Sequence, residues 1–297
     1  MLAVAGNDMI SARMPRRNFR SAAAWLWLVS AVCQGQPGVL AEIEKKIAAL
    51  PAAEQAYERF RAWRALLPPE QQRDPGLMDQ YRRHLIQTGR TEEDAAAQIK
   101  LVISQGQRSE IERWNRILTS DKPSFNVEPN AFLVEMAKGR KPGDALDVGM
   151  GQGRNAIWLA QQGWQVTGFD PAERAVAAAE AQAAKLGVKI RTGIARVEDF
   201  DFGERRWDLI LLSYVGARGL TGRVQRGLRP GGIVIVEGNH RDAAKGRPIG
   251  GGVVFDTGEL ASLFPGLRAV RYEEPMARSD FGMVVVRLAR YCGELPE

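Results

Sequence analysis

An open α/β fold, doubly wound around a mostly parallel sheet with helices on both faces, is what this sequence predicts. Three observations predict it. Residues Ala145–Asp170 read in turn as strand, glycine turn, helix and strand. Further apolar runs of strand length follow at Val188–Arg191, Trp207–Tyr214 and Ile233–Glu237, with helical or turn-forming stretches between them. Such alternation implies parallel pairing, because a parallel neighbour is reached only by a crossover. Ahead of all this, Val39–Leu118 is helical in character, so a helical extension precedes the sheet.

Composition narrows the function classes. At 297 residues the chain can bury one substantial core with an appendage, and it is short for two full-sized enzyme domains. The net charge of +6 is unevenly placed. Arg13, Arg16, Arg17 and Arg20 against Asp8 leave +3 in residues 1–33, so the remainder carries only +3. That is no electrostatic footprint, and no specific nucleic-acid binding is expected. Cys33 and Cys292, like His84 and His240, lie far apart, with neither metal-ligand spacing nor a disulfide framework.

The elements justify themselves in order. Arg16, Arg17, Phe19 and Arg20 precede the apolar run Ala22–Val32, which Gly35, Gln36, Pro37 and Gly38 break. A basic region before a short apolar core reads as an export signal, and the paired arginines resemble a twin-arginine signal. Membrane contact is expected through this segment alone, and it is shorter than the roughly 20 residues of a comfortable span. The alternatives are a translation start at Met14 or an apolar helix packed on the domain. Export suggests an extracytoplasmic place, whereas supply of a nucleoside cofactor suggests the cytoplasm. Residues 1–36 are therefore set apart from a helical lead-in, 37–113, and a main domain, 114–297.

In the lead-in, Ile43, Ile47 and Leu50, then Tyr57, Phe60 and Trp63, recur at helical spacing. Pro68-Pro69 and Asp74-Pro75-Gly76 punctuate it, and Thr91-Glu92-Glu93-Asp94 reads as a capped helix start. Arg82 and Arg83 read as a solvated helix face. Further on, Pro129 restricts Glu128 to extended backbone, Asn130 can cap a helix, and Phe132 and Leu133 open its apolar face.

The chemistry concentrates in Ala145–Asp170. Gly149, Gly151 and Gly153 allow a tight turn and a close approach by a ligand. The helix opening at Arg154 points free N–H groups toward a carboxylate or phosphate. Asp170, at the edge of the second strand, suits the two hydroxyls of a ribose. Two cofactor readings compete, beside the plain alternative of a tight turn with no ligand. Gly151-Gln152-Gly153-Arg154-Asn155-Ala156 fits a dinucleotide fingerprint, whereas Asp147 ahead of the glycines suits a ligand with an ammonium and would repel a pyrophosphate.

With Asp147 included, the D-x-G-x-G-x-G loop resembles class I S-adenosylmethionine-dependent methyltransferases, particularly their tellurite-resistance and thiopurine-type small-molecule branch. Three further blocks carry the resemblance: Trp114–Ile117, Phe125–Leu133 and Leu228-Arg229-Pro230-Gly231-Gly232. It covers about Trp114–Arg290. It implies a Rossmann-like, seven-stranded sheet with the last strand inserted antiparallel, and a lid formed by the segment around Phe125–Asn130. Asn126 departs from the pattern, standing where glycine is common.

The resemblance implies S-adenosyl-L-methionine as cofactor, bound by Asp147, Gly149, Gly151, Gly153, Asn155, Asp170, Ser213, Glu128 and Asn130. Relatives carry an acid after the third strand, toward the adenine. Arg196 stands there here, and Glu198 or Asp199 is the substitute. The remaining expected elements are helices at Pro171–Leu186 and Phe255–Phe264 and strands at Arg268–Tyr272 and Phe281–Leu288. His240 and Tyr214 are the candidates for proton transfer, and no metal is expected. The expected activity is methyl transfer to a small-molecule acceptor. A nicotinamide-dependent oxidoreductase and a catalytically idle exported cofactor-binding module are the alternatives.

Overall fold

The structure, a computed structural model, describes residues 44–245 and 249–297. The basic and apolar segment Arg16–Val32, and Ile43 of the lead-in, lie outside the described residues. Among the described residues no helix is long and apolar enough to cross a membrane.

The chain divides into two compact units between Ser109 and Glu110. In the first, helices α1 (Ala52–Ala65) and α2 (Leu77–Gln87) pack with the opening turns of α3 (Glu92–Leu118). Helical spacing puts Ala56, Phe60 and Trp63 on one face, where they meet Leu77, Tyr81 and Val102. Phe60 meets Tyr81 edge-on at 5.1 Å, and His84 stacks on Trp63 at 5.7 Å, so this histidine belongs to an aromatic cluster. Thr91 starts α3 as expected, its Oγ1 accepting from the Asp94 N–H at 3.1 Å.

The second unit holds α4 (Ala131–Ala137), β1 (Asp144–Val148), α5 (Arg154–Gln161), β2 (Gln165–Asp170), α6 (Glu173–Lys185) and β3 (Ile190–Ile194). Then come β4 (Trp207–Ser213), α7 (Thr221–Gly227), β5 (Leu228–His240), β6 (Val254–Phe255), α8 (Glu259–Leu263), β7 (Arg268–Glu273), β8 (Met276–Arg278) and β9 (Val285–Glu294). The sheet order is β3-β2-β1-β4-β5-β9-β7, with β6 paired to β5 and β8 to β9. Strands β3 to β5 along this order are parallel, and β9 enters antiparallel between β5 and β7. This is the expected Rossmann-like sheet with its reversed strand, lengthened by two short additions.

Alternation along each strand makes two cores. Leu146, Val148, Ile210, Leu212, Val234 and Val236 face α7 and α8, with Val224, Leu260 and Phe264 opposite. Ala145, Leu209, Leu211, Ile233 and Ile235 face α4, α5 and α6 through Phe132, Leu159 and Ala179. At the amino edge, Arg229 donates to Asp144 Oδ2 at 2.9 Å and also pairs with Asp208, tying β5 to β1 and β4.

Four expected boundaries shift for local reasons. Strand β3 starts at Ile190 because the Val188 N–H closes the end of α6, bonding Ala183 O at 3.0 Å. Helix α6 starts at Glu173, after Pro171, because the Asp170 carboxylate holds the intervening Ala172 N–H at 2.8 Å. Phe255 does not open a helix: Val254–Phe255 pairs with the edge of β5, and α8 begins after Gly258, whose φ is 78°. The last strand is Val285–Glu294, because Gly282 and Met283, at φ 79° and 55°, turn the chain between β8 and β9.

Leu211 is fully buried in the central strand. Leu211→Ala is expected to cost about 2–5 kcal/mol, read as a lower urea midpoint with an unchanged slope.

Candidate functional site

The sheet order reverses between β1 and β4, and the carboxyl ends of those strands border a crevice. The glycine turn sits at this edge. Gly149, Gly151 and Gly153 have φ values of 67°, 55° and 80°, a region that strongly favours glycine. A Cβ on Gly149 would stand 2.7 Å from Val215 Cγ2, and one on Gly151 would stand 3.3 Å from the Leu118 methyls. Packing by the chain itself therefore crowds a Cβ at Gly149 and tightens the space at Gly151, in addition to the backbone preference.

Asp170 organises the turn. Its Oδ2 accepts from the Gly151 N–H at 3.0 Å and its Oδ1 from Ala172 N–H at 2.8 Å. Each oxygen keeps lone-pair capacity for another donor. Burial raises its pKa, and the two N–H donors oppose that shift.

Two side-chain atoms stand out by lacking partners. Among the described residues, Asp147 Oδ2 and Ser213 Oγ are the buried side-chain polar atoms with no hydrogen bond. Asp147 lies on β1, and Ser213 ends the neighbouring β4. Burial pushes the Asp147 carboxyl up to about 7; Arg154 opposes this and Asp170 adds to it. An unpaired buried carboxylate costs several kcal/mol. A cationic, hydrogen-bonding group entering beside β1 would offset that cost, so these residues fit the ammonium of an amino-acid-bearing cofactor.

Residues 145–232 match the family described as Methyltransferase domain. Over these residues the chain is similar to methyltransferase domains. A curated relative, ribosomal RNA small subunit methyltransferase C of Alcanivorax borkumensis, is 30% identical over 116 residues, covering 33% of this chain and 36% of its own. The chain thus spans about a third of the length of that relative. A solved structure reported for the conversion of a disulfide bond into a thioacetal group during echinomycin biosynthesis is 19% identical at a TM-score of 0.53. It covers 63% of this chain and 93% of its own, and it is similar in fold. The N-methyltransferase NodS from Bradyrhizobium japonicum WM9, in complex with S-adenosyl-L-homocysteine, is 20% identical at a TM-score of 0.49, covering 63% and 98% of the two chains.

The segment before α4 is drawn into the crevice. Asn130 caps α4, its Oδ1 accepting from Leu133 N–H at 3.0 Å, while its Nδ2 donates to Glu237 and Asp280 at 2.7 and 2.8 Å. The Asn130 N–H donates to Asn155 Oδ1 at 2.8 Å, so Asn155 faces the segment. Glu128 is exposed, and its backbone O accepts from Arg154 Nη1 at 2.8 Å. Glu237 is held in turn by Arg290 Nε at 2.6 Å, and burial raises its pKa. Sequence reading passed over Asp280, Arg154 and Arg290. Arg154 had a signal, its place directly after Gly153; Asp280 had none.

The other candidates lie elsewhere or are engaged. Tyr214, at φ 57°, accepts from the Asp280 N–H at 3.0 Å and lies 3.2 Å from Ser279 Oγ. Burial raises its pKa, with Glu237 adding to the effect, so the phenol keeps its proton. His240 Nδ1 accepts from the Asp242 N–H at 3.1 Å, which leaves the proton on Nε2, 2.9 Å from Thr257 Oγ1. Glu198 is exposed and pairs with Arg196 at 3.3 Å, and Asp199 is exposed too.

Because the folded pKa of Asp147 is raised, its contribution to stability is present at low pH and lost as pH rises through about 7. Asp147→Asn removes that loss. Its thermal midpoint is expected to fall less than that of the unaltered chain between about pH 5 and 8 and to exceed it at the upper end, in melts across that range.

Proposed function

We propose that this chain transfers a methyl group from S-adenosylmethionine to a small-molecule acceptor by in-line displacement. The observation that carries the reading is the unpartnered pair Asp147 Oδ2 and Ser213 Oγ, beside the glycine turn. Asp147 would accept the ammonium of the cofactor and Ser213 a further polar group. Asp170 would take the ribose hydroxyls with its remaining lone pairs. The turn through Gly149, Gly151 and Gly153 would offer backbone N–H groups, and Asn155, Asn130 and Glu128 would shape the wall above it.

When bound, the sulfonium supplies an electrophilic methyl group. The chain's part is to hold an acceptor in line and to exclude water. Positioning of this kind is worth roughly 7–11 kcal/mol of barrier. Tyr214 and His240 have their polar atoms in internal hydrogen bonds, so the reading assigns neither as a base and sends any acceptor proton to solvent. The acceptor class rests on the resemblance to the small-molecule branch. The ribosomal RNA methyltransferase relative matches over 33% of this chain, and its RNA substrate is the second acceptor to test.

Calorimetry with S-adenosylmethionine and NADH tests the reading: binding of the first alone supports it, and binding of neither leaves an idle module. Asp170→Ala is expected to weaken S-adenosylmethionine binding by about 1.5–3 kcal/mol, the range for hydrogen bonds to a charged group. Unchanged affinity would remove Asp170 from the site.

A further inference from the structure

Asp280 lies in the turn between β8 and β9 and is 6% exposed. Its Oδ1 accepts from Asn126 Nδ2 at 2.9 Å, and its Oδ2 from Asn130 Nδ2 at 2.8 Å and Arg154 Nη2 at 2.6 Å. Its backbone O accepts from Asn126 N–H at 2.7 Å, and its N–H donates to the Tyr214 hydroxyl. Asp280 therefore gathers the segment before α4 and the first residue of α5 through its carboxylate, and the residue after β4 through its N–H. The pairing extends beyond it: Phe125 and Phe281 form a bridge with rings 5.8 Å apart, and Gly282 N–H donates to Ser124 O.

Asn126 is the telling partner, because glycine is common at its position in the branch this sequence resembles. Its Oδ1 accepts from the Glu128 N–H at 3.0 Å and folds the segment into an Asx turn. Its Nδ2 is thereby aimed at Asp280. Glycine supplies neither bond. The link to Arg154 has a consequence for the cradle. Two Arg154 nitrogens are committed, to Asp280 and to the backbone of Glu128, and Asp147 Oδ2 stays without a partner.

We infer that Asp280 is a positioning residue that latches Phe125–Asn130 to the start of α5, fixing the wall of the cofactor site and holding the Arg154 guanidinium off Asp147. The site assignment rests on the methyl-transfer reading; the latch itself does not. A carboxylate that accepts several N–H donors in a buried place is strong and directional, and removing one partner leaves the others uncompensated.

The test uses the full chain with Asp280→Asn, Asn126→Gly and the double variant, followed by amide hydrogen exchange over residues 125–130 and by S-adenosylmethionine calorimetry. Each single variant is expected to speed exchange in 125–130 and weaken cofactor binding by about tenfold, consistent with losing a hydrogen bond to a charged group. The double variant should lie close to the worse single one, because both cut the same contact. A lower melting temperature alone, with exchange and affinity unchanged, overturns the inference. So does a double variant at the product of the single effects. If Asp280→Asn does not fold, Asn126→Gly decides by the same two measurements. If the unaltered chain does not bind S-adenosylmethionine, the methyl-transfer reading fails, and exchange over 125–130 alone decides the latch.

Discussion

Strands β1 and β4 lie side by side while the chain leaves them for opposite edges of the sheet, and the rest of the second unit depends on that arrangement. The pair sits at the centre of the sheet, with core on both faces, so its side chains have to be apolar along most of its length. They are, between the amino edge, where Asp144 and Asp208 meet Arg229, and the carboxyl ends. There Asp147 and Ser213 break the rule, at the point where the reversal of strand order opens a crevice. Functional or strained sites are where local patterning is expected to fail without internal compensation. The stability lost in burying Asp147 is the counterpart of the cation site proposed there.

Charge is handled differently around that crevice. Glu237 and Asp280 are both buried carboxylates, each within hydrogen-bond reach of the Asn130 amide. Arg290 answers Glu237, and Arg154 answers Asp280. The guanidinium of Arg290 also lies 5.5 Å from the centre of the Phe132 ring, which adds a cation–π contact under α4. The network is therefore close to neutral and nearly saturated, in contrast with Asp147, which is left open. Saturated groups hold a shape, whereas open ones await a ligand.

Much of this was legible in the sequence, where the signal was local. The alternation along Trp207–Ser213, the glycine turn, Asp170 at the end of β2 and the capping asparagine before Phe132 each depend on neighbours a few residues away. The end of the chain was harder. Arg287, Arg290 and Gly293 interrupt the apolar pattern of β9, because its neighbours Glu274, Glu237 and Glu273 pair with those arginines across the sheet. Such pairing is invisible to periodicity. Asp280 was missed for the same reason: its partners Asn126, Asn130 and Arg154 lie more than a hundred positions earlier. Asn126 appeared only as a departure from a motif, and its meaning came from what stands opposite it.

The placement of β9 has a temporal consequence. β7 has β9 as its neighbour in the sheet, and β5 is flanked along most of its length by β4 and β9. During synthesis β5, with an open edge rich in isoleucine and valine, and β7 therefore wait until residues 285–294 have emerged. An exposed apolar edge of this kind is the usual starting point for pairing between chains. The glycine turn and its two flanking strands can form early from local contacts, but the wall that Asp280 and Arg290 complete cannot. Assembly of the crevice is thus deferred until β9 has emerged, and a protein caught before that stage would carry a finished turn under an unfinished roof.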